Sequence, residues 1–155
     1  MERRELLTFG GLAAIAGAFG AAGAEEPAGA KRILRIYADA DGNSHIQELP
    51  IATKPGKTRR TEMAAATGLI YADYTASSVE DWHRTPARQF SISTSGEIEV
   101  EVSDGTKHAI HAGDIVFLED LQGKGHITRI LSPVTNIFIR VADGFDVVKW
   151  SRGQM

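Results

Sequence analysis

The chain contains no cysteine. Its absence excludes disulfide bonds, thiolate zinc centres and a cysteine nucleophile together. Aromatic residues are also scarce, at 7%, and positive charge is not in excess, with 17 basic residues against 20 acidic ones and a net charge of −3. A nucleic-acid surface needs a basic surplus with stacking groups interleaved. The one basic run, from Lys54 to Arg60, holds no aromatic residue and reads as a solvated loop, so no nucleic-acid partner is expected. Beyond residue 24 no long apolar run occurs, so no membrane-spanning helix is expected in the body of the chain.

What is present suits one ordinary globular domain. The 155 residues are 43% hydrophobic and 24% charged, with 16 glycines, a composition that permits a modest core with many tight turns.

Residues 1–24 read as an address. Arg3 and Arg4 precede a weakly apolar run, Leu6 to Ala22, diluted by glycine and alanine, and Ala22-Gly23-Ala24 offers a small-residue cleavage site. This is the layout of a signal peptide, and the paired arginines resemble the twin-arginine export signal. The competing reading is an uncleaved anchor, for which the run is short and glycine-rich. Cleavage after Ala24 is expected, leaving a single domain over residues 25–155, periplasmic or secreted, with no stable membrane insertion.

The rest of the chain alternates. Residues 33–38 and 45–51 read as two strands joined by the turn Asp39 to Asn43, a hairpin with Pro50 marking an edge. Residues 63–67 suggest one helical turn, 69–75 a strand and 76–80 a polar connector. Residues 88–94 alternate with Gln89, Ser91 and Ser93 on one face and Arg88, Phe90, Ile92 and Thr94 on the other. In 97–102, Ile98, Val100 and Val102 face a core while three glutamates face water. Further strands are expected over 107–110, 115–118, 126–131 and 136–141, and the tail 145–150 should form a strand or a short cap that packs Trp150. About nine or ten short strands with one helical pattern predict an all-β sandwich or barrel.

The stretch Asp81 to Gly96, DWHRTPARQFSISTSG, concentrates the chemistry. It places His83, Arg88 and Gln89 ahead of and inside a strand, and His126 follows a turn with two glycines. The spacing His83-x-Thr85-x3-Gln89-x6-Gly96 resembles the first motif of the cupin superfamily, His-x-His-x3–4-Glu-x6-Gly. Ala112-Gly113-Asp114, a strand and then His126 resemble the second. The resemblance covers residues 81–141. It implies a double-stranded β-helix, or jelly-roll barrel, around a small-molecule pocket. In metal-binding members three histidines and a glutamate hold a divalent ion, so His83, Gln89 and His126 stand at ligand positions, with zinc, manganese, iron or nickel as options. Thr85 and Gln89 depart from the motif, which removes a histidine and the carboxylate. No organic cofactor is implied.

Three roles are therefore open. With Glu119 or Asp120 supplying a carboxylate, the histidines would form an open metal site for lyase, isomerase or oxygenase chemistry. Without metal, His126 and Asp120 or Glu119 would form an acid–base dyad. A non-catalytic binding or sensory barrel is the third reading. Arg88 and Lys124 are candidates to hold an anionic substrate, Trp82 and Phe90 to supply an apolar wall, and Asp81 to cap the turn before His83 or to join the site. His45, His108 and His111 read as surface residues. The exposed N-terminal hairpin is a candidate surface for a homodimer.

Overall fold

The computed structural model describes residues 31–155; the expected signal peptide lies outside the described residues. Ten strands and one short helix are formed there. β1 (Arg32–Ala38) and β2 (Ser44–Pro50) make the expected hairpin, followed by β3 (Ala66–Tyr74), β4 (Val79–His83), β5 (Gln89–Ser95), β6 (Glu97–Val102), β7 (Lys107–His111), β8 (Ile115–Glu119), β9 (His126–Ile130), β10 (Val134–Val141) and the helix α1 (Val147–Ser151). They assemble into a six-stranded sheet, ordered β2-β1-β8-β5-β10-β3, and a four-stranded sheet, ordered β4-β9-β6-β7. Two sheets with these crossovers form the jelly-roll barrel that the cupin resemblance implied.

Strand alternation builds two apolar layers. Leu34, Ile36, Val116 and Leu118 from the larger sheet and Ile98, Val100, Ile110 and Ile130 from the smaller one form the apolar layer between them. The opposite face of the larger sheet is buried as well. Ile33, Leu49, Phe90, Phe117 and Val141 pack there against Phe145 and Val147, with Trp150 at the margin. Phe90 and Phe117 meet edge to face at 4.9 Å between ring centroids, and Trp150 lies 5.3 Å from Phe90, a favoured arrangement for aromatic quadrupoles. α1 is the short cap expected of the tail. Asp146 caps it by accepting from the Lys149 amide, and the Trp150 indole N–H donates to the Glu62 carbonyl.

Two local expectations fail. Residues 63–65 are not helical, and Ala66 already belongs to β3, paired with Val141; ladder hydrogen bonds to β10 outweigh the helix propensity of three alanines. The connector 76–80 ends in a strand instead. β4 pairs with β9 through Val79↔Arg129 and His83↔His126, with an irregularity between Glu80 and His83. That irregularity spoils the period-2 signature from which a strand is read.

Candidate functional site

A cavity of about 300 Å³ runs inside the barrel between the two sheets. Its two ends differ. The register pairs Ile98 with both Ile130 and Ile110, which makes one end hydrocarbon. At the other end β5, β8 and β10 align Gln89 with Leu118 and with Arg140, while β4 and β9 bring His83 opposite His126. His83, Thr85, Gln89, His126 and Arg140 all line this polar end. Ile70 and Glu80, both exposed, line the cavity from β3 and β4. Those are the free edges of the two sheets, so the cavity opens between them.

The centre of the polar end is a buried chain of three residues. Asp120 is 0% exposed and His126 is 3% exposed. Asp120 Oδ2 lies 2.6 Å from His126 Nδ1, and Thr85 Oγ1 donates to Asp120 Oδ1 at 2.5 Å. A carboxylate accepts only, so it fixes the imidazole proton on Nδ1 and leaves Nε2 as the acceptor on the cavity side. Thr85, which stands at a histidine position of the motif, therefore orients the acid instead of binding an ion.

The loop that carries Asp120 and His126 is locked to its neighbours. Lys124 N–H donates to the Gly42 carbonyl at 3.1 Å, Ser44 Oγ donates to the Gly125 carbonyl at 2.6 Å, and Gln122 reaches the Asp39 carbonyl. A Cβ on Gly125, where φ is 76°, would lie 1.9 Å from the His83 carbonyl oxygen. Only glycine allows the β9 entry and the end of β4 to approach this closely. The loop neither fills the cavity nor hangs free over it.

The remaining expected site residues are dispersed. Glu119 points to the outer face, where Arg35 Nε donates to it at 2.5 Å and Arg88 Nη1 at 2.6 Å. Its side chain is 7% exposed. Arg88 thus faces away from the cavity, as its alternation with Gln89 requires. Lys124 sits over the Trp82 ring at 3.7 Å, a cation–π contact, and neither residue lines the cavity. Phe90 belongs to the aromatic layer outside the sheet. Asp81 is exposed; it accepts from the Trp82 amide, and its carbonyl takes His83 Nδ1 at 2.8 Å. His45, read as a surface residue, bridges Asp39 at 2.7 Å and Asp104 at 3.3 Å.

The sequence reading missed Arg140. It lines the cavity, its Nε is buried without a hydrogen-bond partner, and among the described residues it has no ion-pair partner. The signal was legible: in 136–141, Asn136, Phe138 and Arg140 share one face, and an arginine on a core-facing position is a rare choice. Tyr74 also lines the cavity, and burial, with Glu80 nearby, pushes its hydroxyl above the ordinary 10.0.

The donor chemistry suits a divalent ion only weakly. The His83 and His126 rings stand 4.4 Å apart between centroids, each with Nδ1 hydrogen-bonded, and Glu80 Oε2 stands 3.9 Å from His83 Nε2. The Gln89 amide oxygen is buried without a partner. Two neutral imidazoles and an amide oxygen bring no negative charge. Among the described residues no group of three or more His, Cys, Asp or Glu stands close enough to hold an ion.

No family model matches the chain, and no curated protein does. Parts of several solved structures resemble it. A conserved protein of unknown function from Streptococcus pyogenes is 14% identical with a TM-score of 0.41, over 51% of this chain and 67% of that one. A cupin-2 domain containing protein from Shewanella frigidimarina is 11% identical with a TM-score of 0.39, over 54% and 83%. A putative ethanolamine utilization protein from Salmonella typhimurium is 11% identical with a TM-score of 0.42, over 74% and 98%. At such identities the likeness says nothing of what this chain binds. No helix among the described residues is long and apolar enough to cross a membrane.

Proposed function

We propose that this protein takes a small organic anion into the barrel and that His126, oriented by Asp120, moves a proton on it. The observation that carries this reading is the buried Asp120–His126 contact of 2.6 Å on the wall of a cavity that also holds the unpaired Arg140. His126 Nε2 would accept a proton from a carbon next to the anion's carbonyl. Asp120 would stabilise the resulting imidazolium, and the same nitrogen would return the proton, as an isomerase or lyase requires. Arg140 would hold the anion and offset charge that develops on the carbonyl oxygen. Arg88 and Lys124, candidates on sequence, have no part in this reading because they face elsewhere.

The test is exchange in heavy water. The full chain is incubated with a panel of small carboxylic acids, and loss of carbon-bound proton signals is followed by NMR. Exchange that falls by about a hundredfold or more in His126→Asn supports proton transfer. Binding without exchange instead supports a ligand-binding or sensory barrel. Export is part of the proposal and rests on residues 1–24; cell fractionation that leaves the protein in the cytoplasm would refute it.

A metal-assisted variant is favoured by one observation, the facing of His83 and His126 across 4.4 Å. Their Nε2 atoms and Gln89 Oε1 would hold the ion, which would polarise a carbonyl or activate water. Plasma mass spectrometry of tag-free protein separates the variants. Near-stoichiometric metal, lost in His83→Ala and in His126→Ala, supports the ion.

A further inference from the structure

The ladder between β5 and β10 presents three inward pairs in register, Ser93 with Asn136, Ser91 with Phe138 and Gln89 with Arg140. They differ in how their polar atoms are satisfied. Ser93 Oγ donates to Asn136 Oδ1 at 2.8 Å, a closed pair that needs nothing else. Gln89 and Arg140 face each other across the ladder, where Cβ atoms lie about 4.5–5.5 Å apart, yet they do not bond to one another. Gln89 Oε1 and Arg140 Nε are both buried and both lack a partner. A buried polar atom left unpaired costs about 1–3 kcal/mol. Two such atoms on opposite strands, one acceptor and one cationic donor, form a receptor for a group carrying both complements.

We infer that the ligand is a small α-hydroxy carboxylic acid with a short hydrocarbon tail, an inference that rests on the pocket reading above. The carboxylate answers Arg140, and the hydroxyl donates to Gln89 Oε1. The acceptor is a neutral amide, the buried acid Asp120 is engaged by Thr85 and His126, and the acid that lines the cavity, Glu80, is exposed at its open edge. This favours a neutral hydroxyl donor over an ammonium group, which would leave a charge without a counter-ion. The tail follows the cavity towards Ile98, Ile110 and Ile130. A sugar, with hydroxyls on every carbon, would leave donors unpaired against that hydrocarbon wall. The volume of about 300 Å³ lies at the small end of ligand pockets and suits a compound of this size.

The experiment is calorimetric titration of the full chain with α-hydroxyisocaproate, isocaproate, α-hydroxyisocaproamide, leucine and a neutral hexose, with His126 ring resonances followed by NMR. The hydroxy acid is expected to bind tightest. Isocaproate should bind about tenfold more weakly, for the lost hydroxyl. Arg140→Gln should weaken both acids by roughly ten- to a hundredfold. Gln89→Leu should abolish the preference for the hydroxy acid while isocaproate still binds, which also shows that the variant folds. Equal affinity for the hydroxy acid and isocaproate, an amide as tight as the acid, or tighter leucine overturns the inference. Should a neutral sugar alone bind and shift the His126 resonances, the acid class is overturned and an occupied pocket remains. If no compound of either kind shifts them, both fall.

Discussion

Asp120 touches the imidazole of His126 at 2.6 Å, although a glycine-rich turn separates the two along the chain. The turn exists in this form because Gly123 and Gly125 let the backbone press against Gly42 and His83. The acid is therefore delivered to the ring by backbone contacts, and its own conformational freedom is already spent.

Replacing Asp120 with asparagine tests that delivery. Asparagine keeps the shape, but its amide N–H can donate to Nδ1 and so favours the tautomer protonated on Nε2. Nitrogen NMR is expected to show Nδ1–H in the wild type and Nε2–H in the variant. Stability should fall by about 1–3 kcal/mol because the Thr85 hydroxyl and the ring lose a charged partner. A wild-type ring protonated on Nε2 would refute the orienting role.

Gly125→Ala should be among the most damaging small substitutions. The new methyl would lie 1.9 Å from the His83 carbonyl at a φ of 76°, so both sterics and backbone oppose it. A loss of at least about 1 kcal/mol is expected. Thermal unfolding should drop by roughly 3–6 °C per kcal/mol for a domain of this size. Gly105→Ala, where a Cβ meets nothing within 4 Å, is the control for backbone strain alone.

Phe117→Ala separates stability from binding. The ring is fully buried in the aromatic layer outside the barrel, so its removal should cost about 3–5 kcal/mol. Its neighbours Val116 and Leu118 line the cavity and Phe117 does not. Ligand affinity, measured well below the unfolding temperature, should therefore stay within about twofold.

Arg88→Gln makes the opposite comparison with Arg140. It leaves Glu119 with Arg35 as its remaining cation. A cost of about 1–2 kcal/mol in urea unfolding is expected, with ligand affinity unchanged. A loss of affinity like that of Arg140→Gln would contradict the placement of Arg88 on the outer face.

The pH dependence has a defined sign at His45. Hydrogen bonding to Asp39, opposed in part by burial and aided by Asp104, raises its pKa above the ordinary 6.5. Folding therefore favours the charged ring. The stabilisation is complete below about 6.5 and is lost as pH rises through the higher folded value. The two acids are held low, Asp39 chiefly by the His45 side chain and Asp104 chiefly by Thr106. The melting temperature should decline from about pH 6.5 upward, and His45→Gln should flatten that decline. An identical slope in both proteins would rule the bridge out.

How much of this was legible in the chain depends on which interaction decided each feature. β6 was readable because EIEVEV sends every second residue into the barrel. β4 was not, because an irregularity between Glu80 and His83 breaks the alternation. The alanines at 64–66 looked helical in isolation, and the pairing of Ala66 with β10 overrode that pattern. In the site, His83 and His126 could be found by spacing, but the choice between Glu119 and Asp120 could not. It depends on how far β8 keeps its pairing, and the last partner there, Tyr37 beside Glu119, comes from β1, remote in sequence. Arg140 was legible in principle, since its face was fixed by alternation alone.

The adjacent acids Glu119 and Asp120 have one further consequence. One anchors two arginines outside the barrel and the other anchors the histidine within. A single-residue insertion anywhere between Ile115 and Leu118 would slide the following residues by one position and exchange the two faces. The longer acid would then be driven into the space cut for the shorter one, and two guanidinium groups would face an apolar strand position. Changes of chain length are thus forbidden in β8 on both sides of the sheet at once. Turns such as Ser103 to Thr106, where Gly105 has open space around it, are where length variation can be absorbed.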